Sequence, residues 1–343
     1  MADAFTLYSD LYVPEALRRY IGYEFYNSLG LIQKLTSAGP LGDRAPIRLV
    51  GFDELKTGGH YIHQPVIKEV SSLVTKRDIA NGGSAVDTLK FESRDDIGVA
   101  CRAKIGPVAV SEDVKIAGIM PDALAQEFAR QGARQFAKHV QDAVILAWKA
   151  AVDNMTSTAH TLSVWSATAR TQMSTGLLRR GFEKMTDRQD VITGILFRSE
   201  PEYDLFIEQD GKGVSLAPAG DGNVLTLNRA WAMVNDATLT TADAGFDKYH
   251  TLWGGEGGVE LEVTGMKMYM KEERLDTESV HSILRADADF IVRIPGMKWD
   301  VTNGGVNPAI TTSGIGLSTN WDVTYTDHRE VKLGLITNNY SQN

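Results

Sequence analysis

The side chains whose types and spacing could do chemistry are few in this sequence, and each is best read first by what the chemistry would require. His60 and His63 flank Tyr61-Ile62 and could present two imidazoles to a metal ion. A zinc site needs a third nitrogen, sulfur or carboxylate ligand, and neither a third histidine nor a well-spaced carboxylate accompanies them. His139 stands alone within a long helical stretch, so all three read as solvent-facing or hydrogen-bonded histidines.

The adjacent acids Asp95-Asp96 and Glu272-Glu273 could divide acid and base roles if one of each pair lay in an apolar setting. Both pairs fall in charged segments, where a solvated face is the expectation. Gly213-Val214-Ser215-Leu216-Ala217 nearly matches a nucleophile elbow, but it lies in a glycine-rich stretch and not at a strand-turn-helix corner. Gly314-Ile315-Gly316 begins like a dinucleotide-binding loop, yet Thr319 stands where the third glycine belongs. Cys101 is the single cysteine, which excludes an internal disulfide and a four-cysteine zinc site, and its place in an alternating segment suits a small buried side chain. No catalytic residue, cofactor site or metal site is therefore expected. That outcome weighs toward a structural or binding role, although residues from distant segments can converge on a site that no linear motif betrays.

Composition agrees with a folded globular protein. The chain has 343 residues, enough for about two lobes of ordinary domain size, with 43% hydrophobic and 23% charged residues. Lysine and arginine total 35 against 44 acids, a net charge of −9, and the basic residues come as scattered pairs such as Arg18-Arg19 and Arg179-Arg180. A dedicated nucleic-acid binder needs a concentrated basic face, which this is not. The N-terminus lacks the order of a signal peptide, and the strongest apolar run, Ala143 to Trp148, is too short to span a bilayer, so synthesis in the cytoplasm and no membrane partner are expected.

The elements that would position these residues follow from periodicity. Leu17, Ile21 and Phe25 form a helical stripe that leads into a stretch from Gly39 to Gly59 punctuated by glycine and proline, an arm of short helix and extended chain. From His60 to Val110 the pattern alternates: Leu89 and Phe91 against Lys90 and Glu92, then Val99, Cys101, Ala103 and Ile105 against Arg102 and Lys104. Between its halves lies Ile79-Ala80-Asn81-Gly82-Gly83-Ser84, whose glycines supply the backbone angles of a reversal. Either a projecting hairpin or a meander on a domain sheet fits this pattern, and the charge density favours projection. Pro121 and Asp122 suit a helix start, and only Gly132 interrupts good helix formers before Asn154, which predicts one long helix from about Asp122 to Asp153. Its apolar residues, Leu124, Phe128, Phe136, Val140, Val144, Trp148 and Val152, step by four or eight, so the stripe winds around the helix and must meet several partners in turn.

Further on, Asn154 to Thr175 reads as loop and short strand. A helix over Leu177 to Met185, a buried strand over Val191 to Phe197 and a helix over Glu200 to Ile207 then suggest an α/β lobe. Gly211 to Asn223 reads as loop, and Leu225 to Leu227 and Ala230 to Val234 as short strands. Val259, Leu261 and Val263 alternate with Glu260, Glu262 and Thr264, and strands follow at Phe290 to Ile294, Met297 to Trp299, Asn320 to Val323 and Val331 to Ile336. No internal repeat is visible.

The run Ile294-Pro295-Gly296-Met297-Lys298-Trp299-Asp300, followed by Asn303-Gly304-Gly305-Val306-Asn307-Pro308 and Asn320-Trp321-Asp322, resembles a signature of tailed-bacteriophage major capsid proteins. Lys104-Ile105-Gly106-Pro107-Val108 resembles the same group's return from its hairpin toward a spine helix. The resemblance covers Thr88 to Asn154 and Asp287 to the end best. It implies an α+β fold of the Hong Kong 97 type: an N-terminal arm over 1–58, an E-loop hairpin over 59–108, a peripheral domain with the spine helix over 109–165 and 259–300, and an axial domain over 166–258 and 301–343. It also implies a structural shell protein, with no enzymatic role, that assembles with itself as hexamers and pentamers around double-stranded DNA held weakly and without sequence preference. The virion capsid, assembled in the host bacterial cytoplasm, would be its location. The E-loop residues Lys76, Arg77, Asp78, Asn81, Gly82 and Gly83 would touch a neighbouring subunit. Gly106, Pro107, Trp299, Asp300, Asn307, Pro308, Asn320, Trp321 and Asp322 would mark the fold. About ten residues precede the arm helix, so a separate scaffolding protein is expected, with a portal and a decoration protein as further partners. No cross-linking lysine and asparagine can be aligned. An encapsulin-type compartment shares the fold, but Trp299-Asp300 and Asn320-Trp321-Asp322 favour the phage, and neighbouring portal and terminase genes would discriminate. A soluble α/β enzyme with an unrecognised site would stay monomeric when purified.

Overall fold

The computed structural model describes residues 33–37, 39–51, 60–68, 92–111, 121–155, 159–166, 168–211, 227, 229–234, 237–243, 246–263, 267–276, 279–325 and 327–340. The expected arm helix and the expected hairpin reversal at 79–84 lie outside these residues.

Helix α1 runs from Pro121 to Asp153, 33 residues, with the proline at its first position as its missing N–H permits. Phe136, Val140, Val144, Trp148 and Val152 are buried, and Ala129, Ala133, Ala137 and Ala147 bury beside them. The stripe closes into full enclosure over the C-terminal half, where every residue from Ala143 to Trp148 is buried. The winding pattern meets its several partners as its geometry requires. Near the helix start, a Cβ on Gly132 would come within 2.8 Å of the Ile105 side chain, and the Phe136 ring meets Phe290 edge-on at 6.0 Å. Toward the end, Trp148 lies against Gly254 and Leu146 against Gly316.

The first partner is a six-stranded sheet of β1 (Ile47–Leu49), β2 (Tyr61–Ile67), β3 (Ser93–Ser111), β9 (Val259–Val263), β10 (Lys267–Asp276) and β11 (Ser279–Arg293), in the order β1-β9-β11-β3-β2 with β10 also on β11. Strand β3 has 19 residues, about 60 Å at the usual rise. Its register with β11 slips where Ile105 faces Ala286 but Val108 faces Leu284, so Gly106 and Pro107 stand as a bulge opposite a single residue. The bulge lets the strand absorb a proline with no N–H and continue to Ser111. The segment expected as extended chain holds a tight turn at Gly42–Arg44 and then β1, which pairs in parallel with β9. Leu35, Ala45 and Ile47 are all buried there.

The second sheet contains β4 (Thr161–Ser163), β5 (Ile192–Phe197), β6 (Ala230–Met233), β7 (Thr240–Thr241), β8 (Asp247–Gly255) and β14 (Leu333–Tyr340), in the order β4-β14-β8-β5-β6 with β7 on β8. Helices α2 (Thr175–Phe182) and α3 (Ser199–Gly211) belong to the same lobe, with Pro201 in the first turn of α3. Leu178, Phe182 and Leu205 cluster with Ile195, Trp253 and Ile336, whereas the neighbouring Leu196, Leu252 and Leu335 join the core of α1. Successive residues of β5, β8 and β14 thus point into different cores, which is why these strands lack alternation. Two glycines make room for tryptophans: a Cβ on Gly334 would lie 1.9 Å from the Trp253 indole, and one on Gly254 would lie 2.6 Å from Trp148. Leu227, expected at the end of a strand, sits instead in a turn with φ of 53°. A small two-stranded unit, β12 (Met297–Trp299) with β13 (Trp321–Val323), packs beside β3.

Candidate functional site

No group of three or more histidine, cysteine, aspartate or glutamate side chains is placed to hold a metal ion among the described residues. No helix among them is long and apolar enough to cross a membrane. Cys101 is buried, and burial pushes its thiol up to about 12, the behaviour of a small core side chain and not of a nucleophile. His63 bonds Asp95 through Nδ1 at 2.6 Å on the surface, and His139 meets the Phe290 ring edge-on at 6.1 Å. Burial pulls His139 below its ordinary titration range. The Gly213 to Ala217 segment and the side chains of Glu272 and Glu273 lie outside the described residues.

Asp96 departs from the expected solvated face. Its side chain is 1% exposed, and the carboxylate accepts hydrogen bonds from the Gly296 N–H at 2.9 Å and the Thr324 hydroxyl at 2.7 Å. The Arg94 guanidinium lies 3.3 Å away and also pairs with Glu330. A carboxylate with a cation and two donors can be buried because its lone pairs are satisfied. Strand alternation sends Asp95 out and Asp96 in, a difference that a sequence reading of two adjacent acids did not resolve. Glu260 is a second such case: expected on the polar face of β9, it is buried and paired with Arg293 across to β11.

The signature residues come together around two tryptophans. Trp299 and Trp321 are opposite one another in the β12–β13 register, both fully buried, with rings edge-on at 5.1 Å. Each indole N–H has a backbone acceptor, Gly305 for Trp299 at 3.0 Å and Ile315 for Trp321 at 2.9 Å. Asp300 caps the following turn by accepting from the amides of Thr302 and Asn303, which holds its carboxyl below the usual range. Asn320 donates to the Gly314 carbonyl at 3.0 Å, so Gly314-Ile315-Gly316 is a structural turn beneath Trp321. Asn307, with φ of 50°, accepts from the Arg102 amide of β3 at 2.7 Å, and Pro308 is buried. Asp322 is 3.4 Å from Lys298 on the surface. Asn154, just after α1, bonds the Trp321 carbonyl. The unit thereby ties the helix end to β3.

Pairing of β3 with β11 ends at Val99, and from there to Ser93 its partner is β2. The chain between these strands, with Lys76, Arg77, Asp78, Asn81, Gly82 and Gly83, lies outside the described residues, and Ile67, the last residue of β2, is 70% exposed.

Solved structures share this fold. The cyanophage Pam1 capsid matches with a TM-score of 0.57 at 9% identity, covering 91% of this chain and 92% of that one. The capsid of Ralstonia phage GP4 matches at 0.51 and 12% identity over 91% and 90%, and a chain of Mycobacterium phage Adephagia at 0.50 and 13% over 86% and 88%. The fold is therefore that of the Hong Kong 97-like capsid proteins of tailed phages. A comparison with curated proteins finds no match. The family model described as major capsid protein 13-like, Gp13-like, matches residues 49–332, and the chain belongs to that family. It is a structural capsid protein that assembles with itself in the virion shell, a class without enzymatic activity.

Proposed function

We propose that this chain builds hexamers and pentamers of an icosahedral head around double-stranded DNA, and that the hairpin between β2 and β3 is the E-loop that reaches over a neighbouring subunit. The observation that carries this reading is the hand-over along β3. Beyond Val99, where β11 leaves, β2 is the strand partner of β3, and the six pairs from Ile62 with Gly98 to Ile67 with Ser93 run on as a two-stranded stem. Its base is held within the chain, Asp96 by Gly296 and Thr324 and Arg94 by Glu330, whereas Ile67 at its far end is 70% exposed, and a two-stranded ribbon there is marginal in water unless a neighbouring subunit covers it. Lys76, Arg77, Asp78, Asn81, Gly82 and Gly83 then form the contact, and many modest contacts of this kind gain strength from repetition around a closed shell.

The first sheet with α1 serves as the peripheral domain and spine, and the second sheet with α2 and α3 as the axial domain. A separate scaffolding protein guides assembly in the host cytoplasm, a portal occupies one vertex and a decoration protein can bind outside. The net charge of −9 suits a wall that holds DNA weakly and without sequence preference.

Electron microscopy of the purified chain, alone and with its scaffold, tests the reading. Rings, tubes or shells are expected, and small unassociated particles in both samples would overturn it. Deleting Asn81 to Ser84, or reversing the charges of Lys76 and Arg77, should spare the thermal transition and impair assembly. A collapse of thermal stability would assign the segment to a core sheet.

A further inference from the structure

His160, fully buried immediately before β4, is fixed at both ring nitrogens. Nδ1 lies 2.7 Å from the carbonyl oxygen of Leu333, which can only accept, so Nδ1 carries the proton. Nε2 is then the acceptor for Nδ1 of His328 at 2.9 Å, with the two rings edge-on. His328 opens a short turn, His328–Glu330, closed by a reciprocal capping box between Asp327 and Glu330. Each residue of the turn holds a different part of the molecule. His328 grips the second sheet through His160, Arg329 reaches Asp187 at 2.7 Å, and Glu330 pairs with Arg94 at the hairpin base.

We propose that the turn from Asp327 to Glu330 is an acid-released latch: a proton on Nε2 of His160 makes both facing nitrogens donors, expels the turn from the second sheet and draws Glu330 away from Arg94. A proton on the far nitrogen of His328 would leave the bond intact, because its Nδ1 would still donate. Only protonation of Nε2 on His160 removes the acceptor. The groups around His160 set when this happens. His328 and Lys184 repel a charge there and Asp327 attracts one, while the Leu333 carbonyl of β14 favours the cation. From β8 the Trp253 ring lies at 5.6 Å. Farther along the turn, Arg329 is neutralised by Asp327 and Asp187, and Arg94 by Glu330 and Asp96.

Burial is the largest influence and brings His160 from 6.5 down to about 4. The closed latch thus disfavours the proton that the open turn accepts. Closure is fully favoured above about pH 6.5, weakens as pH falls toward 4, and changes no further below it. Between pH 7 and pH 5 the opening equilibrium should rise about 20-fold.

Hydrogen exchange of the full chain at pH 7 and pH 5, corrected for intrinsic chemical exchange, tests the latch at two amides, Glu330 to the Asp327 carbonyl and Val331 to the His328 carbonyl. Their protection should fall about 20-fold in the unaltered chain. His160→Asn keeps a donor toward Leu333 and removes the titration, so its turn protection should not change with pH. His328→Asn, at a less buried position, offers an amide oxygen that accepts from a protonated His160, and should also flatten the response. Unchanged protection of the turn in the unaltered chain, or a full response in either folded variant, would overturn the proposal.

Discussion

Replacing Asp96 by alanine tests whether the first sheet and the tryptophan unit are held together by a buried charge. The carboxylate accepts from Gly296 and Thr324 and lies 3.3 Å from Arg94, all with little exposure to solvent. Removing it strands a backbone N–H, a hydroxyl and one face of a guanidinium that is 8% exposed. Breaking a buried pair from one side costs about 3–5 kcal/mol. Glu330 still pairs with Arg94, so the lower end applies, about 3 kcal/mol or roughly a 150-fold change in the unfolding equilibrium. The control is the adjacent residue. Asp95 is exposed and bonded to His63, so Asp95→Ala, with the same change in net charge, should move stability by less than about 0.5 kcal/mol. Urea unfolding followed by tryptophan fluorescence suits the comparison, because Trp299 and Trp321 lie in the unit that Asp96 anchors. Equal shifts for the two variants, or less than about 1 kcal/mol for Asp96→Ala, would refute the reasoning.

Gly334→Ala drives a methyl into the Trp253 indole, 1.9 Å from where its Cβ would stand, and should cost at least about 1–3 kcal/mol, read as a lower unfolding midpoint. Trp321→Ala empties the centre of the signature unit and strands the Ile315 carbonyl, with an expected loss of about 3–5 kcal/mol by the same measurement. His250, buried between Thr241 and Thr337, is pushed down to about 3, chiefly by burial and then by Lys149 and Lys248. Its folded form resists the proton that the unfolded chain takes up, so stability should fall as pH drops from about 6.5 toward 3, and His250→Asn should flatten that part of a thermal-shift profile. Cys101, with its thiol pushed up to about 12, should react with a disulfide reagent only as fast as the chain opens, and at once in denaturant.

Local patterns carried much of the architecture. Pro121, the four-residue steps from Phe128 to Val152 and the absence of a second helix breaker were enough for α1, because helix geometry depends on neighbours a few residues away. Alternation from Val99 to Ile105 gave β3, and Pro201 marked the start of α3. Strands β8 and β10 escaped notice. In β8 every residue from Tyr249 to Gly255 is buried, so no polar face signals its period, and the space above Gly254 and Gly255 is filled by Trp148 and Val191 from distant parts of the chain.

The candidate site divides in the same way. The order of residues around Trp299 and Trp321 was visible along the chain, and the empty search for catalytic motifs pointed to a structural role. What the sequence by itself determined were helices, alternating strands and a family likeness, all set by contacts between near neighbours. Only tertiary structure decided that Asp95 is solvated and Asp96 buried, that Glu260 meets Arg293, and that His160 and His328, 168 residues apart, share a hydrogen bond. Burial and pairing of charges depend on which distant strand lies opposite, and that is fixed by sheet register and by the packing of both sheets on one helix.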